Sequence, residues 1–392
     1  MKKITLLAIL CFNLHLIAQS KDFILLDSIS KKPIDLVQIS YPNLEIGSVS
    51  NKDGKVRIPL KKENIYISHI NYLEKKISYN NFKSRDTLYL LPKTNQLDEI
   101  VISNLDLMKK FINILENTYK KEYSRKKVVH KTTYKETFSV NDSLARLFQV
   151  QLNWWSKNSL FKRNKAIDKQ NKIYLESVDY SKIKRVNKDF ISSNGAYVEN
   201  GVFFQFAHLN FLLEILKDLA YDFEINSLEK NGNSISVYFD AVLRQKGKLI
   251  YHHKNSLIVF DKDYKHIKHL KFNMVYSSDF EDKISKLHNI PYQSKTKKHV
   301  IELAFKPLKN NKLSISYFVS ELFATLKTKG YTDEIVSKQS LFIAESNLGK
   351  KLKKGNINFY EPFYKNVKDD LKNNDVKILL TQKEKQFLES KN

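Results

Sequence analysis

The sequence predicts a mainly β protein, α+β overall: a seven-stranded β-sandwich at the N-terminus and a larger antiparallel domain with a few helices behind it. Three observations predict it. Short apolar runs recur between polar turns across residues 21–92, at the spacing of a small sandwich. Residues 221–276 form a meander of long alternating runs separated by Asn231-Gly232, Gln245-Lys246-Gly247 and Asp261-Lys262-Asp263. Apolar residues at helical spacing are confined to short stretches such as 105–122 and 209–219. With 42% hydrophobic and 28% charged residues, the chain is of the folded and not the disordered kind.

In chain order, Lys2 and Lys3, the apolar run Ile4–Phe12 and the small residue in Ile17-Ala18-Gln19 predict an export signal cut after Ala18. The run is too short to span a bilayer, which needs about 20 apolar residues. The sole cysteine, Cys11, lies inside that signal, and Leu10 stands where lipidation would need a small residue. A mature chain without cysteine excludes disulfides, thiol catalysis and Cys-ligated zinc. Candidate sandwich strands are Phe23–Asp27, Leu36–Tyr41, Gly47–Ser50, Lys55–Pro59, Asn64–His69, Lys75–Ser78 and Thr87–Leu91. Within SVSNKDGKVRIPL (48–60), the turn Asn51-Lys52-Asp53-Gly54 reads as a hairpin closing two of them, with Asp53 and Gly54 as its structural residues. Gly54 sits where the backbone takes positive φ, which costs other residues about 1 kcal/mol or more.

The segments LLDSISKKPIDLVQISYPN, GSVSNKDGKVRI and IYISHINYLEKKI, in that order and followed by LDEIVIS (97–103), resemble the carboxypeptidase regulatory-like domain of exported Bacteroidetes proteins. That resemblance implies a transthyretin-like seven-stranded sandwich directly after the signal. This sequence departs from the pattern in lacking the opening Gly of the first strand and in placing Asn71 where Gly usually precedes Tyr72.

Behind the sandwich, Met108, Phe111, Ile112, Leu115 and Tyr119 mark the inner face of a helix over 105–122, capped by Asn104 or Asp106. A long hairpin, Val128–Val140 with Leu144–Trp154, turns at Asn141-Asp142-Ser143. A Lys-rich connection (157–172), a strand near Ile173–Val186 and an apolar helix at Leu209–Leu219 lead to the meander. A further hairpin pairs His299–Pro307 with Leu313–Val319, and a terminal helix is predicted at Gln382–Leu388. The predicted divisions are signal 1–18, sandwich 19–103, antiparallel body 104–345 and polar Lys-rich segment 346–392. The body's layout resembles that of the same exported proteins, which implies a curved sheet similar to periplasmic lipoprotein carriers.

The formal charge of +25 invites a polyanionic partner. It is overwhelmingly Lys, spread along a chain rich in Asn, Ile, Tyr and Phe, as a low-GC genome produces, and export argues against nucleic acid. The family name suggests a peptidase, which would need two His and a carboxylate on one zinc. His299-Val300-Ile301-Glu302 is the only His-x-x-Glu, and it sits in an alternating strand with no completing His. His252-His253 point to opposite faces of a strand, and His266 and His269 are odd-spaced and flanked by Lys. No Gly-x-Ser-x-Gly elbow or phosphate-cradling Gly loop occurs. Asp98-Glu99, Asp333-Glu334 and Asp369-Asp370 read as solvated pairs. The aromatic set Tyr197, Phe203, Phe204, Phe206 and Phe211 reads as core, with a binding groove as the alternative.

The chain is therefore expected to be exported to the periplasm or outer membrane, non-catalytic, without cofactor or metal, and to act by binding. The expected partner is an envelope protein, with a lipid or glycan held in the concave sheet as the alternative and peptidase-related chemistry as the lesser one. Peripheral membrane association is compatible with either. Trp154 and Trp155, adjacent at a strand end, read as packing between domains and are the candidate contacts for such a ligand, one ring facing the core and the other free or covered by a neighbour.

Overall fold

The computed structural model describes residues 20–93, 105–184, 200–218, 222–245, 248–277, 279–284, 290–367 and 377–390. The predicted signal, the 97–103 motif, Asn104, Asp98-Glu99, Tyr197 and Asp369-Asp370 lie outside them.

The N-terminal unit contains β1 (Ser20–Asp27), β2 (Gln38–Tyr41), β3 (Ile46–Val49), β4 (Lys55–Pro59), β5 (Ile65–His69), β6 (Tyr72–Ile77) and β7 (Thr87–Leu90), with the short helix α1 (Tyr79–Lys83) before the last. They form two layers, β4-β1-β7 and β3-β2-β5-β6. β1 pairs antiparallel with β4 and parallel with β7. Alternation explains the layers: Phe23 and Leu25, Val56 and Ile58, Ile65 and Ile67, and Leu88 and Leu90 all point into one core closed by Phe82.

One local expectation is corrected. The turn at Asn51–Gly54 does not close a hairpin within a sheet, because β3 pairs with β2 and β4 pairs with β1. It carries the chain between layers, so that each strand buries its apolar side against the opposite sheet. Gly54 has φ +71°, and a Cβ there would lie 2.5 Å from the Leu25 carbonyl oxygen. Asn51 Oδ1 accepts from the backbone N–H groups of Asp53 and Lys55, each at 3.0 Å.

The helix predicted over 105–122 is α2 (Leu107–Asn113), a π turn (Ile114–Thr118) and α3 (Tyr119–Glu122). Asp106 caps it, accepting from Lys109 N–H at 2.9 Å. The π turn rotates the inward face, so Leu107, Phe111, Ile114 and Tyr119 are buried while Met108, Ile112 and Leu115 are only partly so. Next come β8 (Val128–Val140), β9 (Ser143–Ser156), β10 (Asn171–Ile183), α4 (Asn200–Phe206) and α5 (Leu209–Asp218). The meander is β11 (Asp222–Asn231), β12 (Ser234–Gln245), β13 (Lys248–Asp261) and β14 (Ile267–Tyr276). After the short β15 (Glu281–Ile284) follow β16 (Pro291–Pro307), β17 (Leu313–Thr328) and β18 (Tyr331–Leu348), and α6 (Gln382–Glu389) ends the described chain.

These strands make one large, curved antiparallel sheet in the order β11-β12-β13-β14-β16-β17-β18-β8-β9-β10. One face carries the main core, where α2, α4, α5 and the segment around Phe359 and Phe363 cover Val150, Leu152, Phe239, Phe260, Leu270 and Phe318. The other face receives the sandwich and α6. Val49 packs on Ala304, Tyr317 and Phe342, Ile70 on Leu257 and Val259, and Phe387 and Leu380 on Leu147. A single bridge, Ile46 to Glu345, joins the two sheets edge to edge.

Candidate binding surfaces

The sandwich is anchored by the turn Asn51–Gly54. Asn51 Nδ2 donates to the Leu379 carbonyl at 3.0 Å, and the Asp53 carboxylate accepts from Gln382 N–H at 2.8 Å, at the start of α6. A carboxylate at a helix N-terminus stabilises it by about 0.3–1 kcal/mol. Beside it, Lys135 Nζ meets Glu384 at 2.6 Å with both side chains almost fully buried, and Glu384 also completes a capping box with Thr381. Burial lowers the Lys135 pKa, and Glu384 opposes that shift.

Further along the same seam, His269, Glu302 and Tyr317 converge from β14, β16 and β17. Glu302 Oε1 lies 3.0 Å from His269 Nε2 and accepts from the Tyr317 hydroxyl at 2.5 Å, while Lys271 Nζ is 3.6 Å from Oε2. Burial resists ionisation of Glu302, but His269, Lys271 and Tyr317 outweigh it and bring the pKa down to about 2. The cluster borders a seam cavity of about 250 Å³ that also touches His69, Glu74, Lys93 and Lys306. Burial, with His269, Lys93 and Lys271 adding to it, lowers His69 to about 3, so its ring is neutral. Lys306, 3% exposed, donates to the Ile343 carbonyl at 3.2 Å; burial lowers it to about 8 against the pull of Glu45 and Glu345.

The sequence pairs are thus rearranged. His299 and Glu302 lie on opposite faces of β16, His299 against Ser320 and Phe206 and Glu302 on the seam side, as a spacing of three in a strand requires. His266 turns to Glu122 at 3.1 Å and away from His269. His253 is buried against Phe239 and Phe272 while His252 is half-buried. Asp333-Glu334 is no solvated loop pair: it lies in β18, where Asp333 is 3% exposed and accepts from Asn141, and Glu334 meets Lys297. Phe203 and Phe204 are core residues, and Phe206 and Phe211 pack on that core. Among the described residues no three His, Cys, Asp or Glu side chains gather as metal ligands.

Trp154 and Trp155 do face opposite ways, yet both are buried, at 2% and 8% exposure. Trp154 is part of the main core: its indole N–H donates to Asn171 at 2.9 Å and its ring packs edge-on against Phe204 and His208. The cavity beside it holds about 40 Å³, room for a water and not for a lipid or sugar. Trp155 is covered by Lys172, whose ammonium stands 5.5 Å from the ring centre, and its indole N–H has no hydrogen-bond partner among the described residues. Core packing fills the space beside Trp154.

Exposed apolar surface gathers instead on the sandwich. Of eleven large hydrophobic side chains exposed among the described residues, six belong to this smaller unit. Ile24, Ile29, Leu73, Tyr89 and Leu91 share one side, because β1 and β7 are neighbours and Leu73 N–H bonds the Leu91 carbonyl. Lys31 reaches over the Tyr89 ring at 4.6 Å, and Lys32 is exposed beside it. The face is centred on β1 and β7, with Leu73 joining it from β6, the strand at the other edge of its layer from β3, which is bridged to the body. The tertiary structure assembles this patch from three separate segments, so no local motif announces it; the alternation of exposed Ile24 and Tyr89 with buried Leu25 and Leu88 is the only sequence signal.

By its fold the protein is of the mainly β class, a small sandwich riding on a large curved sheet. No protein-family model matches the chain, and no curated protein matches it either.

Proposed function

We propose that the protein is a non-catalytic binding protein of the cell envelope that docks another envelope protein through the outer face of its sandwich. The observation that carries this reading is the patch around Tyr89: contiguous side chains with 37–71% exposure on a unit whose other layer is used to hold the body. Clustered exposed apolar surface of this kind marks interaction sites, whereas scattered single residues need no explanation. The Lys31 and Lys32 rim selects a partner with an apolar patch edged by carboxylates. The seven-stranded sandwich agrees with the fold implied by the regulatory-like resemblance, and the compartment rests on the export signal expected from Lys2 to Ala18.

The test is chemical crosslinking in intact cells followed by mass spectrometry, with full-length protein and a Tyr89→Asp/Leu91→Asp variant. Both side chains are about half exposed, so the variant should unfold at the wild-type temperature. One envelope protein crosslinked near Tyr89 in the wild type, and lost in the variant, supports the reading. Identical crosslinks in both proteins would sink it.

A further inference from the structure

A groove of about 760 Å³ opens at the end of the sheet where β8 begins and β9 ends, well within the range of about 300–1,000 Å³ for ligand pockets. Arg125, Lys126 and Lys127 form one wall; Lys157, Lys162, Lys165 and Lys169 form the other. No Asp or Glu is among the described residues that line it. The chain has 67 Lys and Arg to 42 Asp and Glu, a ratio that would place about four carboxylates beside seven cations. A genome-wide excess of Lys explains many lysines, but not their segregation from acid. Arg163, next to the groove, is already matched with Asp218.

The walls are built and not merely crowded. Gln170, 7% exposed, accepts from Lys162 N–H at 2.7 Å and donates to the Lys162 and Lys165 carbonyls, both at 2.9 Å. Asn210, 1% exposed, bonds both the N–H and the carbonyl of Phe161. Gly349 N–H bonds the Lys127 carbonyl at 2.6 Å. The buried Gln170 and Asn210 hold one wall and the Gly349 backbone ties the other, and seven like charges around this concavity raise the local potential for an anion.

We propose that this groove binds a compact anion carrying several phosphate groups. Six of its seven cations are Lys, whose compact ammonium engages phosphate as a point charge, whereas reading of base edges favours the Arg fork. None of the exposed large hydrophobic side chains lines it, so it lacks the apolar element that inserts into a bilayer. The phosphates can belong to a free metabolite or to a lipid headgroup reached from its exposed end.

The test is titration calorimetry on the full-length protein with inositol hexakisphosphate as probe. The groove variant is Lys126→Glu/Lys162→Glu/Lys165→Glu. The charge-matched control is Lys75→Glu/Lys262→Glu/Lys329→Glu, and thermal unfolding verifies that both fold. All six side chains are exposed. We expect one probe per chain, affinity reduced about tenfold or more by the groove variant and little by the control, and binding abolished near 1 M salt, where screening shortens to about 3 Å. Vesicles of phosphatidylglycerol and phosphatidylcholine that displace the probe assign its phosphates to a lipid headgroup and support the site; no displacement assigns them to a free anion. Equal weakening by both variants, vesicle binding without probe binding, or tighter binding of a single-stranded oligonucleotide than of the probe would each overturn it.

Discussion

Replacing Lys306 by Met should make the protein more stable at neutral pH. The ammonium is 3% exposed, and its hydrogen bond in the structure runs to the Ile343 carbonyl. Its pKa falls from 10.5 to about 8. At 1.36 kcal/mol per unit, holding it charged in the folded protein costs about 3 kcal/mol at pH 7. Met keeps the length and the packing but leaves the Ile343 carbonyl without its donor, a loss of about 1 kcal/mol. The net gain is therefore about 2 kcal/mol. The pH dependence has a definite sign. Because the folded pKa lies below the unfolded one, the unfolded chain binds more protons between pH 8 and 10.5. The wild type thus gains stability as pH rises through that window, and the penalty is at its full value below pH 8. Lys306→Met lacks this gain, so its advantage shrinks and reverses at about pH 9–10. Urea unfolding followed by the fluorescence of Trp154 and Trp155, from pH 7 to 10, measures the difference, in which all other titrations cancel. A variant less stable than wild type at pH 7, or a difference that stays constant with pH, would refute the reasoning.

Two further outcomes follow from the geometry. Gly54→Ala must take positive φ and push a methyl to 2.5 Å from the Leu25 carbonyl, so it should lose more than about 2 kcal/mol in the same unfolding assay; a loss below half of that would mean the turn relaxes freely. Arg146, 1% exposed, pairs with Glu136 at 2.7 Å and stands over the Phe138 ring. Arg146→Met leaves the Glu136 carboxylate buried without its cation and should cost about 3–5 kcal/mol, while adding Glu136→Leu should recover at least half; no recovery would place the effect in packing and not in charge.

The sandwich was legible because its alternation is strict and its turns are short and polar. All seven candidate strands exist, with ends shifted by a few residues. The long hairpin at Asn141-Asp142, the meander and the terminal helix were legible for the same reason. The strand β18 was not. In YTDEIVSKQSLFIAESNL the seam side carries Glu334, Lys338 and Ser340 between Val336 and Phe342, so no apolar side stands out, yet this strand sits between β17 and β8 at the centre of the sheet. Its polar side is covered by the sandwich and α6, which hydrogen bonds and ion pairs make possible. The polar C-terminal segment misleads similarly: Ile357, Phe359 and Phe363 enter the main core, and Ile378, Leu380 and Phe387 cover the opposite face.

What the sequence by itself determined is everything that depends on neighbours along the chain: strand periodicity, the positive φ at Gly54, the Asp106 cap, and the incompatibility of His299 and Glu302 with a shared ligand. What only the tertiary structure decided is which distant side chains meet. His269 finds Glu302 and Tyr317 across three strands; Asp53 finds the start of α6; Ile24, Leu73 and Tyr89 form one face; and Lys126 faces Lys162 across a groove. A sheet brings residues together by strand order and register, set by how large apolar faces close on one another, and no spacing in the sequence encodes that order.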